Sequence, residues 1–394
     1  MAISTKIQGY MERASWIRKM FEQGLELKAK IGADKVFDFS LGNPNLEPPE
    51  KVRKTILEVI GDERPGKHAY MPNAGLKETR EAVAGFLAKE HGVPMTWEQV
   101  IMTCGAGGAL NVALKTILDA GDEVIVLSPY FVEYLFYIDN HNGVGKLAKT
   151  NEDFTLNLKE IEATITPKTK AIILNSPNNP SGRIYDEKSL RNLGELFETI
   201  KQKNNQTIYL LSDEPYSKIV YDGARVPSIY QAYTESIIVT SYSKDLSLPG
   251  ERIGYLGVNP RMENWKQAVD GLTFCNRILG FVNAPALMQR ILVKLQGVSV
   301  NVAEYKWKRD NLCRGLAEAG YSFVKPEGAF YLFPKSPIAD DVKFVNILLQ
   351  ENILGVPGTG FGTPGHFRLA YCVEDRVIEG SLEGFRRAIQ KVSR

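Results

Sequence analysis

Short apolar runs recur through the middle of the chain, and stretches with helical spacing separate them. The runs lie at 100–103, 123–127, 171–174, 208–212, 237–240 and 253–258. Short runs that are apolar at nearly every position are typical of strands buried on both faces of a sheet. Strands that alternate with helices in this way predict an α/β fold, with a mostly parallel sheet and helices on both of its faces.

The pattern changes after about residue 284. One long helical stretch is predicted over 285–319, strand-like segments over 321–333, and a terminal helix from about 377. An amphipathic helix is also predicted near the N-terminus, over 13–31. We therefore expect an N-terminal arm that contributes to a small domain, a large domain, and a small C-terminal α+β domain, with limits at 1–47, 48–284 and 285–394.

Composition excludes several classes of function. The 394 residues carry a net charge of +2, which gives no electrostatic case for binding nucleic acid or a membrane surface. No apolar run approaches the roughly 18 to 20 residues of a membrane span, and the N-terminus lacks the apolar segment of a secretory signal. The four cysteines form no CxxC pair and the four histidines have no metal-ligand spacing, so we expect a cytoplasmic protein without a metal site.

A lysine follows the predicted strand at 237–240, among hydroxyl groups. Ser241, Ser243 and Lys244 are followed eight residues later by Arg252. A lone Ser-x-Lys is usually a solvated surface loop. However, a desolvated lysine can form a Schiff base with a carbonyl cofactor, and hydroxyls with a guanidinium can hold a phosphate. Together these groups favour pyridoxal phosphate chemistry.

Other candidate residues also follow predicted strands. The turn at Gly105, Ala106 and Gly107 joins a strand to a helix, and such a turn can cradle a phosphate with its free N–H groups. Asp213 ends a buried strand, where a carboxylate is costly unless it meets a cation such as a pyridinium nitrogen. Arg368, on an apolar strand, needs an anionic partner. The ends of parallel strands are where open α/β sheets bind ligands.

These stretches, in this order, resemble the class I/II aminotransferases, fold-type I pyridoxal phosphate enzymes such as aspartate aminotransferase. The most specific matches are Ser-x-Ser-Lys before Arg252, Asn-Pro-Ser-Gly from Asn179, and Phe-Arg-x-Ala around Arg368. The resemblance implies a large domain with a sheet of the seven-stranded type and a homodimer with shared active sites. It also implies cis peptide bonds at Ser128–Pro129 and Asn179–Pro180.

The resemblance assigns a role to each candidate. Lys244 would bind the cofactor as a Schiff base, Asp213 its ring nitrogen, and Asn179 with Tyr216 its phenolic oxygen. Phe131 would stack on the ring. The phosphate would meet a larger set: Gly105, Ala106, Gly107, Ser241, Ser243, Arg252 and Tyr70 of the partner subunit. The substrate would meet Gly42, Asn179 and Arg368.

The implied activity is transfer of an amino group from an L-amino acid to a 2-oxo acid, with 2-oxoglutarate as the expected acceptor. The donor stays open between aspartate, alanine and aromatic amino acids. Ala106 and Gly107 stand where many relatives place hydroxyls or a lysine, so backbone N–H groups would have to hold the phosphate there. One alternative is a β-lyase of the same fold. A DNA-binding regulator is disfavoured, because only about 45 residues precede the large domain and they are not basic.

Overall fold

The computed structural model describes residues 2–13 and 16–392. Within them the strands are β1 (Phe37–Asp38), β2 (Val100–Thr103), β3 (Glu123–Ser128), β4 (Val144–Lys149), β5 (Thr169–Asn175), β6 (Tyr209–Asp213), β7 (Ser236–Ser241), β8 (Gly254–Val258), β9 (Tyr331–Leu332), β10 (Ile353–Leu354), β11 (Val356–Pro357) and β12 (Phe367–Ala370).

The α-helices of the described residues are α1 (Thr5–Arg13), α2 (Trp16–Ile31), α3 (Glu50–Gly61), α4 (Lys77–His91), α5 (Gly105–Ile117), α6 (Glu133–Asp139), α7 (Leu158–Thr164), α8 (Glu187–Asn204), α9 (Ile229–Ala232), α10 (Trp265–Ile278), α11 (Ala286–Leu292), α12 (Val302–Glu318), α13 (Asp341–Gln350) and α14 (Asp375–Val392). Short 3₁₀ turns, such as the one at Pro249–Glu251, join several of them.

The large sheet has the strand order β2-β8-β7-β6-β5-β3-β4. Its strands run parallel except β8, which is antiparallel to both of its neighbours. The predicted α/β fold with a mostly parallel sheet is therefore confirmed. The edge strand β4 was not predicted, because it is largely solvent-accessible and lacks a continuous apolar run.

Alternate residues of the central strands bury opposite faces of the large sheet. Ile172 and Leu174 of β5 pack into one core with α4, α7, α8 and α11. Ala171 and Ile173 pack into the other core with α5, α6 and α10. Both faces are covered by helices, so the side chains that follow the carboxyl ends of the strands are left to form a site.

A second group of elements forms its own apolar core, separate from the two cores on the faces of the large sheet. Strands β11, β12 and β9 form an antiparallel sheet, and β1 pairs in parallel with β10. Their apolar core joins residues from the N-terminal segment, such as Met20 and Phe39, to residues from the C-terminal part, such as Leu312 and Phe385. Helix α11 packs instead with the large sheet. The three domain limits stay a prediction.

Three details of the secondary structure differ from expectation. The stretch at 285–319 is two helices, α11 and α12, because the chain turns between them and Gly297 has a positive φ of 78°. Only β9 is a strand within 321–333. The helix expected at 13–31 corresponds to α2, with residues 14 and 15 outside the described residues, and α1 was not predicted.

Gly254 should be essential for the packing between β7, β8 and the start of α5. A Cβ at this position would meet the carbonyl oxygen of Thr240 and lie 2.9 Å from the Cα of Gly105, and both are backbone atoms that cannot move aside easily. Gly254→Ala is expected to lower the free energy of unfolding by about 2 kcal/mol or more, measured by chemical denaturation.

Gly250→Ala is the matched control, because a Cβ there meets open space. It should change the free energy of unfolding by no more than about 0.5 kcal/mol. Equal stability of the two variants would show that the contact between these backbone segments is not close.

Candidate active site

A cavity of about 320 Å³ lies between the carboxyl ends of β5, β6 and β7 on one side and strands β9 and β12 on the other. The structure brings most of the candidate residues to its wall. These are Gly42, Ala106, Gly107, Phe131, Asn179, Asp213, Tyr216, Ser241, Ser243, Lys244, Arg252 and Arg368.

Lys244 lies in the turn after β7, and its side chain enters the cavity. Its Nζ donates a hydrogen bond to the backbone oxygen of Gly42 at 2.8 Å. Burial lowers the pKa of the Lys244 amine to about 8, and the positive charges of Arg368 and Arg252 also act to lower it. A much larger fraction of this amine is therefore neutral, and so nucleophilic, near physiological pH than for an ordinary lysine.

Asp213 is the last residue of β6, and it is buried. The hydroxyl of Tyr134 donates to Oδ2 at 2.6 Å, and the side chain of Asn175 donates to the backbone oxygen at 2.9 Å. Oδ1 has no hydrogen-bond partner among the described residues. Burial raises the pKa of Asp213 to about 7, against the effect of the hydrogen bond from Tyr134. The carboxyl group thus has a free acceptor that suits a cationic ring nitrogen.

The start of α5 and the segment after β7 form an anion-binding end of the cavity. Gly105 has a positive φ of 71°, and a Cβ there would lie 2.9 Å from Nη2 of Arg252. Glycine thus lets the guanidinium approach the free N–H groups at the helix start. The guanidinium is solvent-exposed and donates to the backbone oxygen of Pro249. Ser241 and Ser243 add hydroxyls to the same wall, so this end fits a phosphate.

Arg368 closes the opposite end of the cavity, on β12. It is only 2% exposed, and its guanidinium lies 4.8 Å from the ring centres of both Tyr331 and Phe361. It donates to Oδ1 of Asn179 at 3.2 Å and to the backbone oxygen of Ser40 at 2.6 Å. None of these partners carries a full negative charge. The guanidinium is therefore held in a fixed position with capacity for a carboxylate.

Tyr216 and Phe131 lie between these two ends. The hydroxyl of Tyr216 forms a hydrogen bond with that of Tyr331 at 2.9 Å. Gly42 lies against Tyr331, since a Cβ there would be 2.7 Å from Cζ of that ring. Phe131 meets Tyr134 edge to face, with ring centres 5.5 Å apart.

The two cis peptide bonds expected at Ser128–Pro129 and Asn179–Pro180 are confirmed. Ser176–Pro177 is also cis, and this third bond was not predicted.

Two candidates lie outside the cavity wall. Gly105 does not line the cavity itself, but it lies against Arg252, which does. Tyr70 is 90% exposed, so the described chain offers it little contact. Sequence reasoning missed several wall residues that surround Asp213 and Arg368, namely Glu133, Tyr134, Tyr137, Asn175 and Tyr331. The cluster of aromatic residues directly after Phe131 was the available signal for Tyr134 and Tyr137.

The comparisons with known proteins agree with this geometry. The sequence model described as aminotransferase class I and II matches residues 34–384. The chain belongs to the class I and II aminotransferase family. A probable aspartate/prephenate aminotransferase from Thermus aquaticus is 35% identical over 375 residues, which cover 93% of this chain and 94% of that protein.

Solved structures show the same relationship. An aminotransferase from Eubacterium rectale is 36% identical and superimposes with a TM-score of 0.97. The alignment covers 100% of both chains. Aspartate aminotransferase from Thermus thermophilus, determined with maleate, is 30% identical, with a TM-score of 0.86 over 98% of this chain and 100% of that chain. The chain is thus an aminotransferase, and the names of its relatives do not favour a β-lyase.

The family depends on pyridoxal phosphate, and the cavity fits that cofactor. The unpartnered Oδ1 of Asp213 suits its ring nitrogen, the N–H groups of α5 with Arg252 suit its phosphate, and the amine of Lys244 suits its aldehyde. Among the described residues, no cluster of potential metal ligands occurs, and no helix is long and apolar enough to cross a membrane.

The lowered pKa of Lys244 has a measurable consequence. Its amine should react with a small aldehyde at a rate that rises with pH and reaches half of its maximum near pH 8, because only the neutral amine attacks. Cofactor-free protein would be reductively alkylated between pH 6 and 11, and the labelled peptides quantified by mass spectrometry. The same peptide in urea-unfolded protein serves as the control, and its half-maximal rate should need a higher pH, because unfolding removes the burial that lowers the pKa of Lys244. Identical profiles for the folded and unfolded protein would contradict a desolvated amine.

Proposed function

We propose that this aminotransferase carries pyridoxal 5′-phosphate as a Schiff base on Lys244 and transfers the amino group of an L-amino acid to a 2-oxo acid by ping-pong kinetics. The observation that carries the proposal is the position of the Lys244 amine. It shares one cavity with a carboxyl group that has a free acceptor, Asp213, and with a buried guanidinium, Arg368. These are the covalent anchor, the ring-nitrogen acid and the carboxylate site that the chemistry requires.

Several residues of the cavity wall have a proposed role in holding the cofactor. Asp213, oriented by Tyr134, would hold the ring nitrogen, and Asn179 with Tyr216 would meet the phenolic oxygen. Phe131 would stack on the ring. The phosphate would be held by Gly105, Ala106, Gly107, Ser241, Ser243 and Arg252, with Tyr70 contributed by a partner subunit. When bound, the cofactor supplies an electron sink for the charge that forms at the substrate Cα.

The substrate would be oriented by its α-carboxylate. Arg368 would bind this group with two parallel hydrogen bonds, helped by Asn179 and by the close backbone at Gly42. This orientation presents the Cα hydrogen to Lys244. The Nζ of Lys244, whose pKa burial lowers to about 8, would then take the proton from Cα and pass it to the cofactor.

The substrates and the assembly belong to the same proposal. The relatives are named for aspartate and prephenate, and the donor here is proposed to be aspartate, alanine or an aromatic amino acid, with 2-oxoglutarate as acceptor. The 90% exposure of Tyr70 supports a homodimer in which its hydroxyl reaches the neighbouring site. The cytoplasmic location stays a prediction.

A single-turnover assay tests this function. Holoenzyme mixed with amino acids from a panel should release the 2-oxo acid without ammonia, while its absorbance shifts from the aldehyde form of the cofactor to the amine form. Lys244→Ala should reduce the rate at least about 1,000-fold, because it removes the general base. Borohydride should fix the cofactor to the peptide that contains Lys244. Release of ammonia in proportion to the oxo acid would support a lyase. Label on another lysine would show that the cofactor is attached there and not to Lys244.

Arg368 should govern affinity for the α-carboxylate. Arg368→Lys keeps the charge but loses the planar fork, so kcat/KM should fall by roughly 10- to 1,000-fold, which is about 1.5 to 4 kcal/mol. The absorbance spectrum of the bound cofactor should barely change, because lysine keeps the positive charge and position 368 is not assigned to hold the cofactor. A variant with normal kcat/KM for every amino acid would remove Arg368 from the site.

A further inference from the structure

The charged side chains of the cavity wall do not all have a partner in the proposed chemistry. Among the described residues that line the cavity, five are charged: Glu133, Asp213, Lys244, Arg252 and Arg368. The cofactor accounts for Asp213, Lys244 and Arg252, and the α-carboxylate accounts for Arg368. Glu133 is left over. A carboxyl group that faces a ligand cavity without a cation paired to it favours ligands that donate hydrogen bonds and disfavours anionic ones.

Glu133 lines the same cavity as Arg368. It is the first residue of α6, between Phe131 and Tyr134, and its Oε2 is shielded from solvent with no hydrogen-bond partner among the described residues. The charge of Glu133 acts on Arg368, Tyr331 and Tyr137, which also line this cavity. A substrate whose α-carboxylate lies on Arg368 would have its side chain in the cavity that Glu133 faces.

Among the described residues of the wall, no unassigned cation is left to pair with a second carboxylate of the substrate. Ala106 and Gly107 in the first turn of α5 present no charge, and the cations among the described residues of the wall are the three that already have partners. Burial raises the pKa of Glu133, and the positive charge of Arg368 acts in the opposite direction. The ionised carboxyl group is a hydrogen-bond acceptor only.

We infer that Glu133 selects the substrate side chain, favouring one that donates a hydrogen bond, such as a carboxamide, and disfavouring a side-chain carboxylate. This inference rests on the proposed function, since it takes the α-carboxylate to lie on Arg368. It narrows the proposed substrates: aspartate becomes a poor donor, and 2-oxoglutarate, which enters the same cavity under ping-pong kinetics, becomes a poorer acceptor than a 2-oxo acid without a side-chain carboxylate. Of two amino acids with the same shape, the amide should be preferred to the acid, because the amide N–H satisfies Oε2 whereas a second carboxylate meets a like charge.

Calorimetric titration with two matched ligands tests the inference. Succinate and its monoamide, succinamate, have the same length and lack the amino group needed for reaction, so holoenzyme binds them without turnover. We expect succinamate to bind at least about tenfold more tightly than succinate to the unmodified protein. In Glu133→Gln, succinate should gain about tenfold in affinity while succinamate changes less than about threefold, because the side-chain carbonyl of glutamine still accepts a hydrogen bond.

Asp139→Asn is the matched control. It removes the same charge from the same helix, but Asp139 pairs with Lys6 and does not line the cavity. The ratio of the two affinities should stay as in the unmodified protein.

Equal or tighter binding of succinate by the unmodified protein would overturn the inference, and so would an unchanged ratio in Glu133→Gln. The comparison in the unmodified protein is decisive even if the variant does not fold. Failure of the proposed function would show separately, as absence of amino transfer in the single-turnover assay.

Discussion

The site depends on charged groups that are withdrawn from water without being paired with one another. Asp213 and Arg368 are buried, and Lys244 enters the same cavity, yet no ion pair joins any two of them in the described structure. Each is held by neutral partners instead: Tyr134 for Asp213, and backbone oxygens for the two cations. Neutral partners offset only part of the cost of desolvation. The pKa values of Asp213 and Lys244 therefore move toward each other, to about 7 and about 8.

The same contacts bring together distant parts of the chain. Arg368 of β12 meets Ser40 from the N-terminal segment and Asn179 from the loop after β5. Lys244 meets Gly42, next to that segment. The carboxylate site consequently exists only where the core around β9 and β12 meets the large sheet. A change at the contact between these two parts would therefore alter substrate binding, and it would also act on the cofactor through Lys244 and Asn179.

The sequence predicts the residues that follow buried strands, because the ends of parallel strands must meet at one edge of a sheet. Asn179, Asp213 and Lys244 are of this kind. Tyr134 and Glu133 were missed because α6 has only seven residues, too few to show a helical period. Tyr331 lies on a strand of two residues. The hydrogen bond from Tyr134 to Asp213 joins residues 79 positions apart, a distance that no local pattern encodes. The roles of these residues follow from tertiary geometry alone.

The pairing of β1 with β10 also determines when the N-terminal segment can fold during synthesis. All strands of the large sheet lie between Val100 and Val258, so that sheet can close while the rest of the chain is still on the ribosome. Phe37 must wait for Ile353, its partner more than 300 residues later. Until then Phe39, which becomes fully buried, has no core to enter. The N-terminal segment therefore stays without its core until the C-terminal part has been made, although it is the first segment to be made.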